Sequence, residues 1–335
     1  MAIGKTTTKK ATFSSSMKDF FNYLFSLDKK PKKGLMAYEW VVLAYLTATL
    51  VYILVMYSQL PNAGELLWGR FQIAAITIAL WGIYRLVPCG LIRLSRAGVQ
   101  LALLAWWYPD IYELNRIFPN LDHVFASMEQ SLFGCQPALV FSEKVTHSVV
   151  SEMMCLGYWS YYPLMAVVTL SVLIWRRKSF ERVVFVILGT FFIHYVIFIL
   201  LPVTGPQYYY EAVGLEDIRN GVFPNLHDYF NHHQERMTCP GYADGVFYSL
   251  VESAHQTGER PIAAFPSSHV SLCLVLMLLL WKERLHHIFG ALLPLALLLI
   301  ISTVYIRAHY AIDVLAGFVS GMICYGLLIR CSRKL

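Results

Sequence analysis

The chain is cut into long apolar runs with almost no charge inside them, and nothing else in it limits the fold so strongly. Trp40 to Tyr57, Phe71 to Val87, Val150 to Trp175, Val183 to Leu201, Ser267 to Trp281, Ile288 to Tyr305 and His309 to Ile329 approach or reach the length that spans a bilayer core. Only 14% of the 335 residues are charged and 57% are hydrophobic, whereas a soluble domain carries roughly 25% charged residues. This deficit marks a polytopic membrane protein. Without water to take up backbone hydrogen bonds, only helices or a closed barrel cross a bilayer, and continuous apolar runs select helices. The expected fold class is all-α, a polytopic membrane helical bundle.

Charge sets the expected topology. The net charge is +6, and Lys5, Lys9, Lys10, Lys18, Lys29, Lys30, Lys32 and Lys33 crowd the start. A nucleic-acid arm would look similar, but beside a first span at Trp40 the cluster reads as a cytoplasmic tail obeying the positive-inside rule. No nucleic-acid partner is expected. The first apolar run begins only near Trp40, so the first helix reads as an uncleaved signal anchor. Arg85, Arg93 and Arg96, then Arg176, Arg177, Lys178 and Arg182, then Lys282 and Arg284, and finally Arg330 to Lys334 all suit the cytoplasmic side. They share one side only if the short stretch Ala97 to Tyr108 also crosses, with Arg93 and Arg96 snorkelling. The count is then about eight spans with both termini inside.

Three regions follow. Residues 1–37 form a basic tail with an amphipathic stretch, Phe20 to Leu27, suited to the membrane surface. Residues 38–149 hold the first helices and an external amphipathic segment from Asp110 to Lys144. Residues 150–335 contain the remaining spans and a long polar loop, 202–265, with little obvious secondary structure, of the kind that caps a site.

Chemistry concentrates at two helix mouths. His309 and Asp313 are four apart, hence on one helix face. The aspartate is placed to hold the far imidazole nitrogen and leave the other free to attack. His269 follows Pro266-Ser267-Ser268, a helix start whose free amides and hydroxyls suit phosphoryl oxygens. Its imidazole suits proton donation to a leaving oxygen. Arg307 and Arg260 suit phosphate charge. The bland readings are a structural His-Asp pair, a snorkelling arginine and a loop charge. His194, inside an apolar run, reads as a hydrogen-bonded packing residue, and His232-His233 as loop composition. Of seven cysteines, Cys89, Cys155, Cys273 and Cys324 read as small core residues. Cys135 and Cys239 fall in external segments, where pairing is open but not required. No Cys/His spacing matches a zinc site.

Pro266 to His269, and Tyr305 to Asp313 continued by Val314-Leu315-Ala316-Gly317, resemble the second and third signatures of the type 2 phosphatidic acid phosphatase superfamily. The resemblance covers roughly residues 150–330. It implies a bundle with this family's core and a metal-independent, cofactor-free enzyme that forms a phosphohistidine. His309 would be the nucleophile, Asp313 its orienting partner and His269 the acid, with Ser267 and Ser268 holding phosphate. The usual first signature, lysine followed after six residues by Arg-Pro, is altered here, with Ser253 at the lysine position. The place at the end of the preceding span is held instead by Leu201 to Tyr208, which makes Gln207 and Tyr208 the substrate-loop candidates. Thr303 stands where the third signature carries arginine, and Arg307 lies two residues before the histidine. This pattern is similar to the branch of inositol phosphotransferases and sphingomyelin synthases. The resemblance implies a phospholipid substrate in the bilayer and a bacterial inner-membrane location, and the charge topology puts the site on the periplasmic face. The first reading is hydrolysis of a lipid phosphate monoester. The alternative is transfer of a phosphoryl headgroup to a ceramide, diacylglycerol or polyol. A transporter is the rival class, but it calls for a polar or broken site near the midplane.

Overall fold

The apolar runs all become helix in the computed structural model, which describes residues 13–258 and 260–335. Lys5, Lys9 and Lys10 of the basic tail, and Glu259, lie outside the described residues. A surface helix, α1 (Phe13–Phe25), precedes the long α2 (Ala37–Val55) and α3 (Ala63–Leu86). α4 (Gly90–Ala102) and α5 (Leu104–Asn115) follow, then the short α6 (Asp122–Phe133) and α7 (Pro137–Lys144). α8 (Ser148–Trp159), α9 (Tyr161–Trp175) and α10 (Phe180–Leu200) return through the bundle. α11 (Pro206–Val213), α12 (Leu215–Arg219) and α13 (Val246–Gly258) lead to α14 (Ser268–Lys282), α15 (His286–Tyr305) and α16 (Ala311–Cys331).

Among the described residues, α2, α3, α10, α15 and α16 are long and apolar enough to cross a membrane. α8 and α9 pass the same test only together, with a 51° bend between them, as a broken span or a re-entrant loop. The protein is thus an all-helical integral membrane protein. A count of eight also requires α14, with 15 residues, and the broken pair α4–α5, with 13 and 12, to cross. The spans differ in role. In α10, 72% of the apolar window is buried, against 28–39% in the other four. α10 is apolar all round because it is the central helix, while its neighbours each turn a face outward.

Hydrogen bonds at the two ends of the bundle fix the helix directions. At one end Arg182 pairs with Glu283 at 2.7 Å, Arg176 donates to the Glu283 carbonyl, and the Ala37 amide donates to Glu181. The starts of α2 and α10 therefore meet the ends of α9 and α14. At the other end the Ser267 amide donates to the Asp313 carbonyl at 3.0 Å, and the Gln207 amide to the Arg307 carbonyl at 2.8 Å. That brings together the end of α10, the starts of α14 and α16, and the end of α15. Two glycines allow the key approach. A Cβ at Gly317 would stand 2.8 Å from the Ser267 carbonyl oxygen, and one at Gly321 2.9 Å from that of Ser271. α16 can lie this close to α14 only with small residues there.

The first helices depart from the expected picture. Arg96 does not snorkel. Arg96 is fully buried with both of its bonded nitrogens on Glu39, itself buried on α2. Arg93 pairs with Asp28 at 2.6 Å. Arg70 of α3 and Asp110 of α5 form another buried pair at 2.6 Å. A charge in the apolar interior persists only when matched, and each partner lies at least 40 residues away in sequence, beyond the reach of local patterning. These pairs clamp α4–α5 to α2 and α3. α1 buries Phe20 and Leu24 and leaves the equally apolar Phe21 and Phe25 exposed.

The 202–265 segment has more structure than its composition suggests. α13 packs on α8, and the Glu152 carboxylate accepts from the first-turn amides of Phe247 and Tyr248, both at 2.9 Å. The cap comes from another helix, so no local signal marks it. In the same segment Cys239 faces Cys155 with 3.9 Å between sulfurs, rather than Cys135.

Candidate active site

The two histidines singled out in the sequence meet. His309 Nε2 lies 3.3 Å from His269 Nδ1. Each ring is placed by local structure. α15 ends at Tyr305, Arg307 takes φ +66°, and the chain turns sharply into α16. The His309 amide donates to the Thr303 carbonyl at 3.1 Å, which closes the turn. Asp313 then caps α16 by accepting from the Tyr310 amide at 2.8 Å. His309 is left buried at the helix start, 3% exposed.

The hydrogen bonds set its tautomer. His309 Nδ1 is 2.8 Å from the Ala264 carbonyl oxygen, which only accepts. The proton therefore sits on Nδ1 and the lone pair on Nε2. Asp313 Oδ2 is 3.6 Å from the same Nδ1. Orientation thus comes first from a backbone carbonyl, with the carboxylate behind it. His269 Nδ1 must in turn donate to His309 Nε2.

His269 sits in the first turn of α14, capped by the Ser267 hydroxyl, which accepts from the Val270 amide. Its ring stacks on Tyr158 at 4.8 Å and packs on Tyr161 at 4.2 Å between centroids. One ring thus touches His309 and also lines a cavity of about 440 Å³. Tyr108, Tyr158, Tyr161, Tyr162, Ser268 and His255 are among the cavity walls. A larger cavity of about 700 Å³, between α1 and residues 174–179, holds none of the candidate site residues.

Of the other candidates, only Ser268 lines the cavity. Ser267 is fully buried and Ser268 half-buried. Arg307 Nε donates to the Ser142 hydroxyl at 2.9 Å, and burial of its guanidinium lowers its pKa. The Arg260 carbonyl accepts from the Ile262 amide. Gln207 and Tyr208 are buried, 3% and 2% exposed, in the packing of α11. Arg307, Arg260, Gln207 and Tyr208 are absent from the cavity lining.

Sequence reasoning missed four residues. Asp122 at the start of α6 is fully buried and takes five hydrogen bonds. They come from Asn120, the Thr204 amide and hydroxyl, the Gly205 amide and the Tyr310 hydroxyl. Glu129, on the same helix, accepts from the Ile312 amide at 3.1 Å at the start of α16. Burial pushes its carboxyl up to about 8. Tyr310 and His255 complete the set. Only the Asn120-x-Asp122 pattern, a local side-chain turn, left a trace in the sequence.

His194 is a packing residue, with Nδ1 on the Thr190 carbonyl and Nε2 on Ser320. His233 stacks on Tyr229, 4.1 Å between centroids. Among the described residues no group of three His, Cys, Asp or Glu is arranged to hold a metal ion. A family model described as the PAP2 superfamily matches residues 123–327, more than half of the chain, and leaves α1–α5 outside it. No curated protein and no solved structure matches the chain.

Proposed function

The chain belongs to the PAP2 superfamily, and from that premise we propose that it is a membrane-embedded lipid phosphate phosphatase working through a phosphohistidine. One observation supports the reading above the rest: two imidazoles 3.3 Å apart at the mouths of α14 and α16, one of them facing an aromatic cavity. His309 Nε2 carries the lone pair and attacks phosphorus. The substrate phosphoryl group takes the place of the His269 contact. The bond from phosphorus to the lipid oxygen breaks as the new N–P bond forms, and His269, entering the step as imidazolium beside the anionic phosphate, passes one proton to the leaving oxygen and is left neutral. Phosphoryl oxygens lie on the first-turn amides of α14 at Ser268 and His269, which have no intrahelical acceptor. In this reading the Ser267 hydroxyl adds a polar contact, and Arg307 and Arg260 balance the phosphate charge. In the second half His269 takes a proton from water, water attacks phosphorus, the N–P bond breaks and phosphate leaves. The reading requires no metal and no cofactor.

The second reading is transfer to an alcohol, in the manner of the inositol phosphotransferase branch. The cavity favours it: about 440 Å³ of mostly aromatic wall beside His269 has room for an acceptor in place of water. Purified protein in chelator, given phosphatidic acid with and without diacylglycerol, ceramide or inositol, separates the two. Phosphate release that is indifferent to acceptor is expected. A new phosphodiester with little free phosphate, lost on His309→Ala, would replace hydrolysis by transfer. Neither product from any lipid would remove both.

The site is proposed to face away from the cytoplasm, in a bacterial inner membrane. Arg176, Arg182 and Glu283 lie at the bundle end opposite the histidines, and the basic runs gather there. Asn225 is exposed in the 202–265 segment. Asn225→Cys in intact cells should take up an impermeant maleimide beyond the level of the unsubstituted chain. Uptake only after the cells are opened would reverse the orientation.

A further inference from the structure

A second cavity, of about 450 Å³, runs between α4–α5 and α9. It shares Ala105 and Tyr162 with the aromatic cavity, so the two join at one wall. Its character is different. Small residues open it: Ala97, Gly98, Ala102 and Ala105 on one side, Ala166 on the other. Thr169 and Tyr162 bring the two hydroxyls in the lining; that of Thr169 already donates to the Met165 carbonyl at 2.7 Å, and Tyr162 is not without a partner. No polar group in it awaits a partner, so the groove suits hydrocarbon and not a headgroup. Gly98, Ala102, Ala105 and Ala166 are exposed, so the groove opens sideways toward lipid. From Leu94 to Ala105 its α4–α5 wall covers about 16 Å of helix rise.

We propose that this groove holds one hydrocarbon chain of the lipid substrate while its phosphate lies at His269 and His309. The inference rests on the lipid-phosphate reading above and assigns chain selection to α4–α5, which lie outside the matched family region. The two cavities are continuous in their lining, and that points to the occupant. A lipid whose phosphate reaches the histidines through the aromatic cavity has its chain at Ala105 and Tyr162, where the apolar groove begins. The Arg96–Glu39 and Arg70–Asp110 pairs, with Gln100 donating to Thr77 at 2.9 Å, hold α4–α5 in place and keep the groove open.

Gly98 makes the test clean. A Cβ built there meets nothing within 4 Å, so the backbone admits a side chain at this lining position. Gly98→Leu, alone and with Ala102→Leu, is compared with the unsubstituted full-length protein in detergent. Phosphatidic acid with two sixteen-carbon chains and its short, two four-carbon analogue are the substrates. The variants should lose kcat/KM on the long-chain substrate by ~10-fold or more and stay within about twofold on the short one. Equal loss on both, or loss on neither, overturns the proposal. A second readout does not need turnover. Phosphatidic acid with a diazirine in its chain should label α4 and α9, unlabelled phosphatidic acid should compete, and Gly98→Leu should abolish the label. Labelling elsewhere, or equal labelling by a phosphatidylcholine probe, marks ordinary boundary lipid and overturns it. Specific labelling without turnover of any lipid phosphate would keep the groove and discard the proposed reaction.

Discussion

Turnover should fall by a factor on the order of 10⁴ or more when His309 is changed to alanine, with the protein still folded. The size follows from the geometry. No other group stands where Nε2 stands, 3.3 Å from the proposed proton donor and fixed from behind by the Ala264 carbonyl at 2.8 Å. Without that nitrogen the first bond to phosphorus has no maker, and only binding by the α14 amides remains. His269→Ala should fall close behind, since the leaving oxygen loses its proton source. Asp313→Asn should lose less, on the order of 10²-fold, because the Ala264 carbonyl still holds the Nδ1 proton. Radiolabelled lipid phosphate with a rapid quench gives a sharper readout than rate. An acid-labile, alkali-stable phosphoryl label should map to the His309 peptide and vanish in His309→Ala. A variant that keeps normal turnover, or a label on another residue, removes His309 as nucleophile.

The sequence made some of this arrangement legible and hid the rest for definite reasons. The spans α2, α3, α10, α15 and α16 were visible because each is an apolar run of bilayer length, a property of a single segment. The pairing of His269 with His309 could be anticipated because both sit at helix starts whose helices are joined by one intervening span. The α4–α5 pair was hard to read because its polar groups, Arg96 and Asp110, look like surface residues until Glu39 and Arg70 are brought to them. α13 was missed because Glu152 of another helix supplies its cap. The Ala264 carbonyl that sets the His309 tautomer has no side-chain signature at all. Gln207 and Tyr208 stand where the first signature is expected, at the end of a span, and their side chains are buried in the packing of α11. Local chemistry marked the candidate groups, and tertiary contacts decide what holds them.

Asp122 shows what the holding is worth. Its two oxygens accept from the Thr204 and Gly205 amides at 2.6 and 2.9 Å, from the Thr204 and Tyr310 hydroxyls, and from Asn120. The carboxylate thereby ties α6 to the chain leaving α10 and to the first residues of α16. Gly205 stands so close to the His309 turn that a Cβ on it would lie 2.6 Å from the Ala308 carbonyl oxygen, and its φ of +92° excludes a side chain in any case. Asp122→Ala strips this junction of its acceptor and leaves several buried donors without one. Each orphaned donor costs about 1–3 kcal/mol, and relaxation recovers part of that. A net loss of about 3–5 kcal/mol is expected, lowering the thermal midpoint in detergent by on the order of 10 °C. Asp122→Asn keeps the shape but turns an amide N–H toward donors, so it should rescue little. Activity should fall in the protein that remains folded, because Gly205, Ala308 and His309 form one continuous contact. The readout is a melt followed by turnover per folded molecule below the midpoint. An unchanged melt for both variants would mean the five bonds carry no weight in holding α6 to the site.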